Sequence, residues 1–273
     1  MTILEQLGSD IVKLWETYAS IYLTGMWKTV SLAVICTLVG CLIGFLCGVL
    51  QTIPVAKKDN ALKKGFLVVL RGIIRAYVEV FRGTPMILQA VFVYYGLPYF
   101  TNNAVQWKSV WLAAFVVVAV NTGAYMAETV RGGILSVDPG QTEGAKAIGM
   151  THWQTMTSVI LPQALRSILP QIGNNFIINL KDTSVMFIIG YTDFFATHKA
   201  VVGATFLYFP SATIEMAGYL FMTLVSSILL RWWEKRMDGS ASYDLATTDT
   251  LAHTSGLVRF PQKSSKTADE RGR

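Results

Sequence analysis

Apolar runs constrain this sequence more than any other feature, because a helix of roughly 20 residues with few charges is long enough to cross a bilayer. Five such runs occur, at 30–53, 86–99, 110–130, 171–191 and 212–233. Hydrophobic residues make up 52% of the 273 residues and charged residues 15%, where soluble domains carry about 25% charged residues. These proportions exclude a disordered chain, a collagen-like fibre and an ordinary soluble enzyme. We therefore predict an all-α membrane protein with five transmembrane helices.

Three segments outside these runs have different predicted structures. Apolar residues recur at helical spacing in residues 1–24, with charges on the other faces, which predicts an interfacial amphipathic helix. Residues 63–82 are also two-sided and predict a helix at the membrane surface. Residues 238–273 have little apolar periodicity and predict a disordered tail, which leaves 25–237 as the transmembrane domain. The charged stripe of 63–82 consists of Arg71, Arg75, Glu79 and Arg82.

Three glycines recur every four residues in the first run, at Gly40, Gly44 and Gly48. A stripe of small residues lets two helices approach closely within a bilayer. We predict that another span packs against this stripe. The alternative is that these glycines reflect only the general enrichment of glycine in membrane spans.

The distribution of Lys and Arg predicts the orientation of the chain. With five spans, residues 54–85, residues 131–170 and the region from 231 onward share one side and carry 18 of the 23 positive residues, whereas the opposite side carries four. Positive residues concentrate on the cytoplasmic side of membrane proteins. We therefore expect the N-terminus outside and the C-terminus in the cytoplasm. The net charge of +6 then reflects topology and does not indicate a nucleic-acid partner.

The loop 138–170 has the most specific pattern in the chain. Asp138-Pro139-Gly140 predicts a turn, and a short helical run from Glu143 ends at Gly149. Thr151-His152-Trp153-Gln154 fits a capping box, which predicts a second short helix that ends at Leu161-Pro162. Two short helices joined at a glycine form a compact plug for a groove on another protein.

This loop resembles the EAA coupling motif of bacterial ABC-transporter permeases, at the spacing that the motif requires. The blocks 82–85, 124–128, 131–134 and 181–184 are similar to the polar amino-acid uptake subfamily, and they occur in the family's order. Gly144 departs from the usual Ala of the motif, and Val159 departs from the usual Ile. The resemblance assigns coupling to an ATPase subunit to Glu143, Gly144, Ala145, Ala147, Gly149, Leu161 and Pro162.

The resemblance implies the type I permease class of ABC importers, with coupling helices between the third and fourth spans. It implies a multi-pass protein of the bacterial cytoplasmic membrane that translocates a polar amino acid, which an extracytoplasmic binding protein delivers. ATP and Mg are expected on separate ATPase subunits, since the sequence has no G-x-x-x-x-G-K-[ST] phosphate loop. A second permease subunit, identical or related, is expected to complete the path within the lipid. No cofactor or catalytic residue is expected in this chain.

The fourth run contains a polar break, Lys181-Asp182-Thr183-Ser184. A charge at the centre of a span costs about 2.5–3.5 kcal/mol on insertion scales, so this break needs an explanation. On a helical wheel, Asn175, Asn179 and Asp182 lie within about 60° of each other. Two amides and a carboxylate suit an ammonium group, and the neighbouring Lys181 suits a carboxylate, so an amino acid fits both. The alternative is that Lys181 and Asp182 pair with each other or with Glu128, and only stabilise the broken helix.

The predicted substrate path adds residues from the second and third spans to this break. Its members are Thr84, Asn121, Tyr125, Asn175, Asn179, Lys181, Asp182, Thr183 and Ser184. An ion-coupled secondary transporter or channel, with Lys181 and Asp182 as a relay, is the alternative function. It predicts inverted repeats, which the sequence does not show, and it leaves the loop 143–162 unexplained. A membrane-embedded enzyme is a third possibility, for which no catalytic constellation is present.

Other polar residues have ordinary explanations. The three cysteines lie in one apolar run and the three histidines lie far apart, so neither a disulfide framework nor a metal site is predicted. Glu215 lies near the outer end of the fifth run, and we expect it to be solvated.

Overall fold

The structure, a computed structural model, describes residues 2–55 and 60–237, and all regular secondary structure in these ranges is helical. The chain divides into two units, Met1–Glu234 and Lys235–Arg273, and the second is described only at the end of the last helix. The predicted tail 238–273 lies outside the described residues. The α-helices are α1 (Ile3–Thr52), α2 (Ala61–Gly83), α3 (Met86–Phe100), α4 (Val110–Leu135), α5 (Pro139–Ala147), α6 (His152–Thr155), α7 (Leu161–Asp182), α8 (Phe194–Thr205) and α9 (Tyr208–Met237).

Length and hydropathy identify the helices able to cross a membrane. Ile3–Thr52, Val110–Leu135 and Tyr208–Arg236 qualify by themselves. The pair His152–Ile189 and Phe194–Thr205, bent by 52°, forms a fourth candidate, and the shorter Met86–Phe100 is also apolar. The prediction of an all-α membrane protein is confirmed, whereas the count of five spans stays a prediction.

One 50-residue helix, α1, contains both the predicted interfacial helix and the first run. It begins with a capping box between Thr2 and Glu5, and no proline interrupts it before Pro54. Leu14 and Tyr22 are fully buried, and they pack in a cluster with residues of α8 and α9. Residues 3–24 are therefore not a separate element, and their place in the membrane interface stays a prediction.

The predicted glycine seam is confirmed, and its partner is α4. An ideal Cβ on Gly44 would lie 2.3 Å from the Met126 Cβ, and one on Gly40 would lie 2.6 Å from the Thr122 Cβ. The absence of side chains on α1 therefore lets the backbones of two spans touch. This seam fixes α4 as the centre of the fold, against which α2, α3 and α7 also pack.

The prediction of a surface helix at 63–82 is wrong, because α2 packs lengthwise beside α4. Ile74 and Val78 are buried, and the Tyr77 hydroxyl donates to the Val120 carbonyl, halfway along α4, at 2.6 Å. After the break at 84–85, α3 continues along the first half of α4. The two-sided pattern arises because the apolar face of α2 meets α4, while its charged stripe lines an open groove in which Arg75, Glu79 and Arg82 are exposed.

Candidate functional site: a polar cleft and an exposed loop

A cleft of about 510 Å³ opens where α2 ends and α3 begins, and α4 and α7 form its other walls. Six of the nine predicted path residues line it: Thr84, Asn121, Tyr125, Asn175, Asn179 and Asp182. The prediction that Asn175, Asn179 and Asp182 lie on one face of a helix is confirmed, since all three line the wall that α7 forms. Lys181 is exposed and does not line the cleft. The Thr183 hydroxyl is buried and donates to the Leu180 carbonyl, and Ser184 is half-buried outside the lining.

The break between α2 and α3 is held by Gln89, which is not among the residues predicted from the sequence. Its Nε2 donates to the carbonyls of Phe81 and Thr84, each at 2.9 Å. Its Oε1 accepts from Asn121 Nδ2 at 2.9 Å, and the same Nδ2 donates to the Phe81 carbonyl at 3.1 Å. Carbonyls at a helix C-terminus have no intrahelical partner, so these amides supply one. The only signal in the sequence was one glutamine inside an apolar run.

Asn179 and Thr122 are the two buried polar residues that line the cleft. The Nδ2 of Asn179 donates to Thr37 Oγ1 on α1 at 2.8 Å, and its Oδ1 accepts from Thr122 Oγ1 on α4 at 3.1 Å. The amide therefore joins three helices, and both of its ends are engaged by protein. Asn175 is less enclosed, and its Nδ2 donates to the Gln171 carbonyl at 2.9 Å.

The Asp182 carboxylate lies half-buried at the end of α7, where the helix tightens into a 3-10 turn, Thr183–Ile189. Within residues 2–55 and 60–237 it has neither a hydrogen bond nor an ion pair. Glu128 forms an ion pair with Arg131 and not with Lys181, and the distance from Arg131 Nη2 to Glu128 Oε1 is 2.5 Å. In the described part of the chain, Lys181 and Asp182 therefore form no ion pair with each other or with Glu128, which was the alternative explanation of this break.

The predicted coupling loop is exposed and ordered by local caps. Asp138 Oδ1 accepts from Gly140 N at 2.7 Å at the start of α5, and Gly149 follows the helix with φ +84°. The capping box between Thr151 and Gln154 is confirmed. Most of the coupling residues are exposed, whereas Ala145 is buried and Leu161 is half-buried.

The second short helix does not end at Leu161-Pro162. A π-helical turn, Met156–Ile160, joins α6 directly to α7, which runs on to Asp182. Pro162 lies in the first turn of α7, just after this wider turn, where its ring avoids the clash it would make inside a regular α-helix. The loop is thus mechanically continuous with the helix that lines the cleft.

Glu215 is buried, so the expectation that it is solvated is wrong. It lies 3.6 Å from His198 Nδ1, and that nitrogen also contacts Ser211 Oγ at 2.8 Å. Ser211 shares a second hydrogen bond, of 2.6 Å, with the Tyr22 hydroxyl. The cluster joins α1, α8 and α9 away from the cleft. Among the described residues, no group of three His, Cys, Asp or Glu could hold a metal ion.

Comparison with known proteins agrees with this architecture. The family described as binding-protein-dependent transport system inner membrane component matches residues 62–239, more than half of the chain. The glutamine transport system permease protein GlnP of Escherichia coli strain K12 is 38% identical over 161 residues, which cover 59% of this chain and 73% of that protein. The nopaline transport system permease protein NocM of Agrobacterium fabrum is 34% identical over 212 residues, covering 74% of this chain and 86% of that protein.

Solved structures show the same similarity. The crystal structure of an amino acid ABC transporter with histidines has a chain that superposes with a TM-score of 0.73 at 32% identity, over 87% of this chain and 100% of that one. The MetNI methionine ABC transporter, with a TM-score of 0.65 at 18% identity over 81% and 98% of the two chains, shares the fold.

These findings define an inner-membrane permease of the ABC-importer class. The chain belongs to the family of binding-protein-dependent transport system inner membrane components. The family description names the inner membrane component of a binding-protein-dependent transport system, and the relatives described above are permeases of glutamine and nopaline transport systems.

Proposed function

We propose that this permease carries a polar amino acid through the cleft between α2–α3, α4 and α7. The observation that carries the proposal is the unpaired Asp182 carboxylate, which lines a polar cleft beside Asn175 and Asn121. An ion pair inside a water-poor site is much stronger than in bulk water, so this carboxylate suits the ammonium group of an amino acid. The names of the relatives, which include glutamine and nopaline transport, agree with a polar amino acid or a derivative of one.

ATP hydrolysis on separate subunits supplies the energy, and those subunits dock on the loop from Glu143 to Pro162. This surface offers exposed apolar side chains, because Ile148 is 80% and Trp153 is 73% exposed. ATP and Mg bind to the ATPase subunits. Since α6 and α7 are continuous, a force on the loop reaches Asp182 along one helix.

A second permease subunit, identical or related, forms the opposite wall of the path. The chain by itself leaves the cleft open, and many large apolar side chains on α1, α2 and α9 are exposed to lipid or to that partner. A solute-binding protein delivers the amino acid from outside, where the charge distribution puts the N-terminus.

The test is ATP-dependent uptake of ¹⁴C-glutamine into proteoliposomes that contain the permease, its ATPase subunits and its binding protein. We expect Gly149→Trp to abolish uptake and to prevent co-purification of the ATPase, because Gly149 lies in the left-handed region that side chains rarely adopt. We expect Asp182→Asn to lower uptake about tenfold or more while the ATPase stays bound, since the charged interaction is lost.

Gly144→Ala is the matched control. No atom lies within 4 Å of its ideal Cβ, and Ala is the usual residue at this position of the motif, so uptake should be unchanged. Retained ATPase binding and uptake in Gly149→Trp would overturn the docking assignment. Unchanged uptake and substrate preference in Asp182→Asn would overturn the cleft as the substrate path.

A further inference from the structure

An open groove of about 580 Å³ lies between α2, the end of α1 and the last turns of α4. The charged residues that line this arginine groove are Arg71, Arg75, Glu79, Arg82, Glu128 and Arg131. Four arginines against two glutamates leave the lining with a net charge of +2. The groove and the substrate cleft have no lining residue in common, so the groove is a separate site.

Protein groups satisfy only part of this positive charge. Glu128 forms an ion pair with Arg131, and the Arg71 guanidinium donates to the Ile53 carbonyl at the end of α1. The Nε of Arg71 is buried and has no hydrogen-bond partner in the described part of the chain. Arg75 is exposed in the groove and has neither a hydrogen bond nor an ion pair there. These two arginines lie four residues apart, about 6 Å along one face of α2, and both can donate to an anion.

The edge of the arginine groove is apolar. Val68 and Gly72 line the groove beside the two arginines. Val69 and Ile73 follow one position further around α2, and each is 61% exposed. A soluble anion would contact only the charged part of this surface. An amphiphile would use both parts, because its charged head pairs with the arginines while its apolar chains cover the exposed helix face.

The predicted topology identifies the kind of amphiphile. The end of α1, the start of α2 and the end of α4 lie on the predicted cytoplasmic side, where the leaflet carries anionic lipids. Arginine at membrane depth is costly unless it is paired, and its long side chain reaches toward the head groups. A guanidinium also matches phosphate oxygens with two parallel N–H donors. Phospholipid phosphate is therefore the anion that this groove fits.

We propose that the arginine groove binds the phosphate of an anionic phospholipid of the cytoplasmic leaflet, with Arg71 and Arg75 as the donors. The acyl chains lie on the exposed face at Val69 and Ile73. Because Arg71 also holds the Ile53 carbonyl, the bound lipid stabilises the packing of α2 against the end of α1. This inference goes beyond the proposed function and does not depend on which solute the cleft carries.

The test is lipid binding to the full-length permease, purified and delipidated in detergent together with its ATPase subunits. The probes are phosphatidylglycerol, phosphatidylcholine and inorganic phosphate, and native mass spectrometry measures the bound lipid. We expect phosphatidylglycerol to bind more tightly than phosphatidylcholine, and inorganic phosphate not to displace it. Arg75→Gln should raise the Kd for phosphatidylglycerol about tenfold, because a hydrogen bond between charged groups is lost. Arg75→Lys should restore part of the loss, since it keeps the charge but not the paired donors.

A second measurement is the thermal midpoint of the complex. Phosphatidylglycerol should raise the midpoint of the native complex, because a ligand that binds only the folded state stabilises it, and it should raise that of Arg75→Gln less. Arg231→Gln is the matched control, because Arg231 is exposed on α9, near its predicted cytoplasmic end, and does not line the groove. Its Kd for phosphatidylglycerol should equal the native value.

Equal Kd values for the two lipids, or an unchanged Kd in Arg75→Gln, would overturn the lipid site. Displacement of phosphatidylglycerol by inorganic phosphate would assign the groove to a soluble anion and would also overturn it. An equal loss of binding in Arg231→Gln and Arg75→Gln would show only a general attraction between a basic surface and anionic lipid, with the same consequence. If Arg75→Gln does not fold, the lipid preference of the native complex and its competition with inorganic phosphate decide the question.

Discussion

Asn179 lies on the wall of the cleft, but its amide is occupied by Thr37 and Thr122. The Thr37 hydroxyl in turn donates to the Ala33 carbonyl at 2.7 Å, which leaves its oxygen free to accept from Asn179. A buried amide satisfied at both ends fixes the relative register of the helices that it joins. We infer that Asn179 fixes the position of α7 relative to α1 and α4, and so the position of Asn175 and Asp182 in the cleft. Its own amide is not available to a solute.

Replacing Asn179 with Ala tests this structural role. The change breaks two hydrogen bonds between spans, so we expect the free energy of unfolding in detergent to fall by about 1–2 kcal/mol. Asn175→Ala is the control, because that amide donates to the Gln171 carbonyl within α7 and its one hydrogen bond to another helix is to the Met126 sulfur, a weak acceptor. Its stability should change by less than about 0.5 kcal/mol. The stability of both variants is measured by thermal melting, followed by recovery of folded protein on size exclusion. Equal stability of Asn179→Ala and Asn175→Ala would contradict the structural role of Asn179.

The cleft could be predicted from the sequence only in part. Helical periodicity brought Asn175, Asn179 and Asp182 to one face, because α7 is regular up to the break. Lys181 fell outside the cleft for the same geometric reason, since it points about 100° away. Periodicity along one helix cannot show contacts between helices, so the pairing of Gln89 with Asn121 was invisible before the fold was known.

The seam between α1 and α4 brings two helix backbones close together. At Gly48, an ideal Cβ would lie 2.7 Å from the Val130 Cβ, and at Gly44 it would lie 2.7 Å from the Met126 carbonyl carbon. A clash with backbone cannot be relieved by a rotamer change, so the helices would have to separate. The seam also holds Thr37 and Thr122 close enough to share Asn179.

Gly44→Ala should therefore destabilise the protein by about 1–3 kcal/mol, the usual cost of overpacking. Gly8→Ala is a control in the same helix, because nothing lies within 4 Å of its ideal Cβ. Alanine favours a helix more than glycine does, so this control should be neutral or slightly stabilising. The two thermal midpoints, measured in the same detergent, decide the matter. Equal thermal midpoints for Gly44→Ala and Gly8→Ala would show that α1 and α4 can separate without loss of stability.

Element boundaries show where sequence patterns stop being sufficient. The caps at Thr151 and Gly149 were predicted correctly, since capping depends on residues a few positions apart. The continuity of α6 with α7 was missed, because proline at 162 normally marks a helix end and a π turn leaves no clear sequence signature. The packing of α2 against α4 was missed for a similar reason: a two-sided pattern does not distinguish a helix on the membrane surface from a helix whose apolar face meets another helix.

For the molecule as a whole, the predicted number of membrane crossings depends on the two helices that meet at the break at 84–85. Neither α2 nor α3 qualifies as a span by length and hydropathy, yet together they cover α4 from its last turns to its first. We predict that α2 and α3 together make one crossing; Arg71, Arg75 and Arg82, three of the 18 positive residues, then lie within this crossing and not in a loop.

Labelling of single cysteines from each side of the membrane tests this topology. We expect Gly8→Cys and Ala104→Cys to react with an impermeant maleimide in intact spheroplasts, and Gln141→Cys to react only after permeabilisation, because all three positions are exposed. The native chain is the control, since its three cysteines are buried or half-buried within α1. Labelling of Gly8→Cys and Ala104→Cys from opposite sides would show that α2 and α3 do not cross. Labelling of Gln141→Cys alone in intact spheroplasts would reverse the orientation that the positive charges predict.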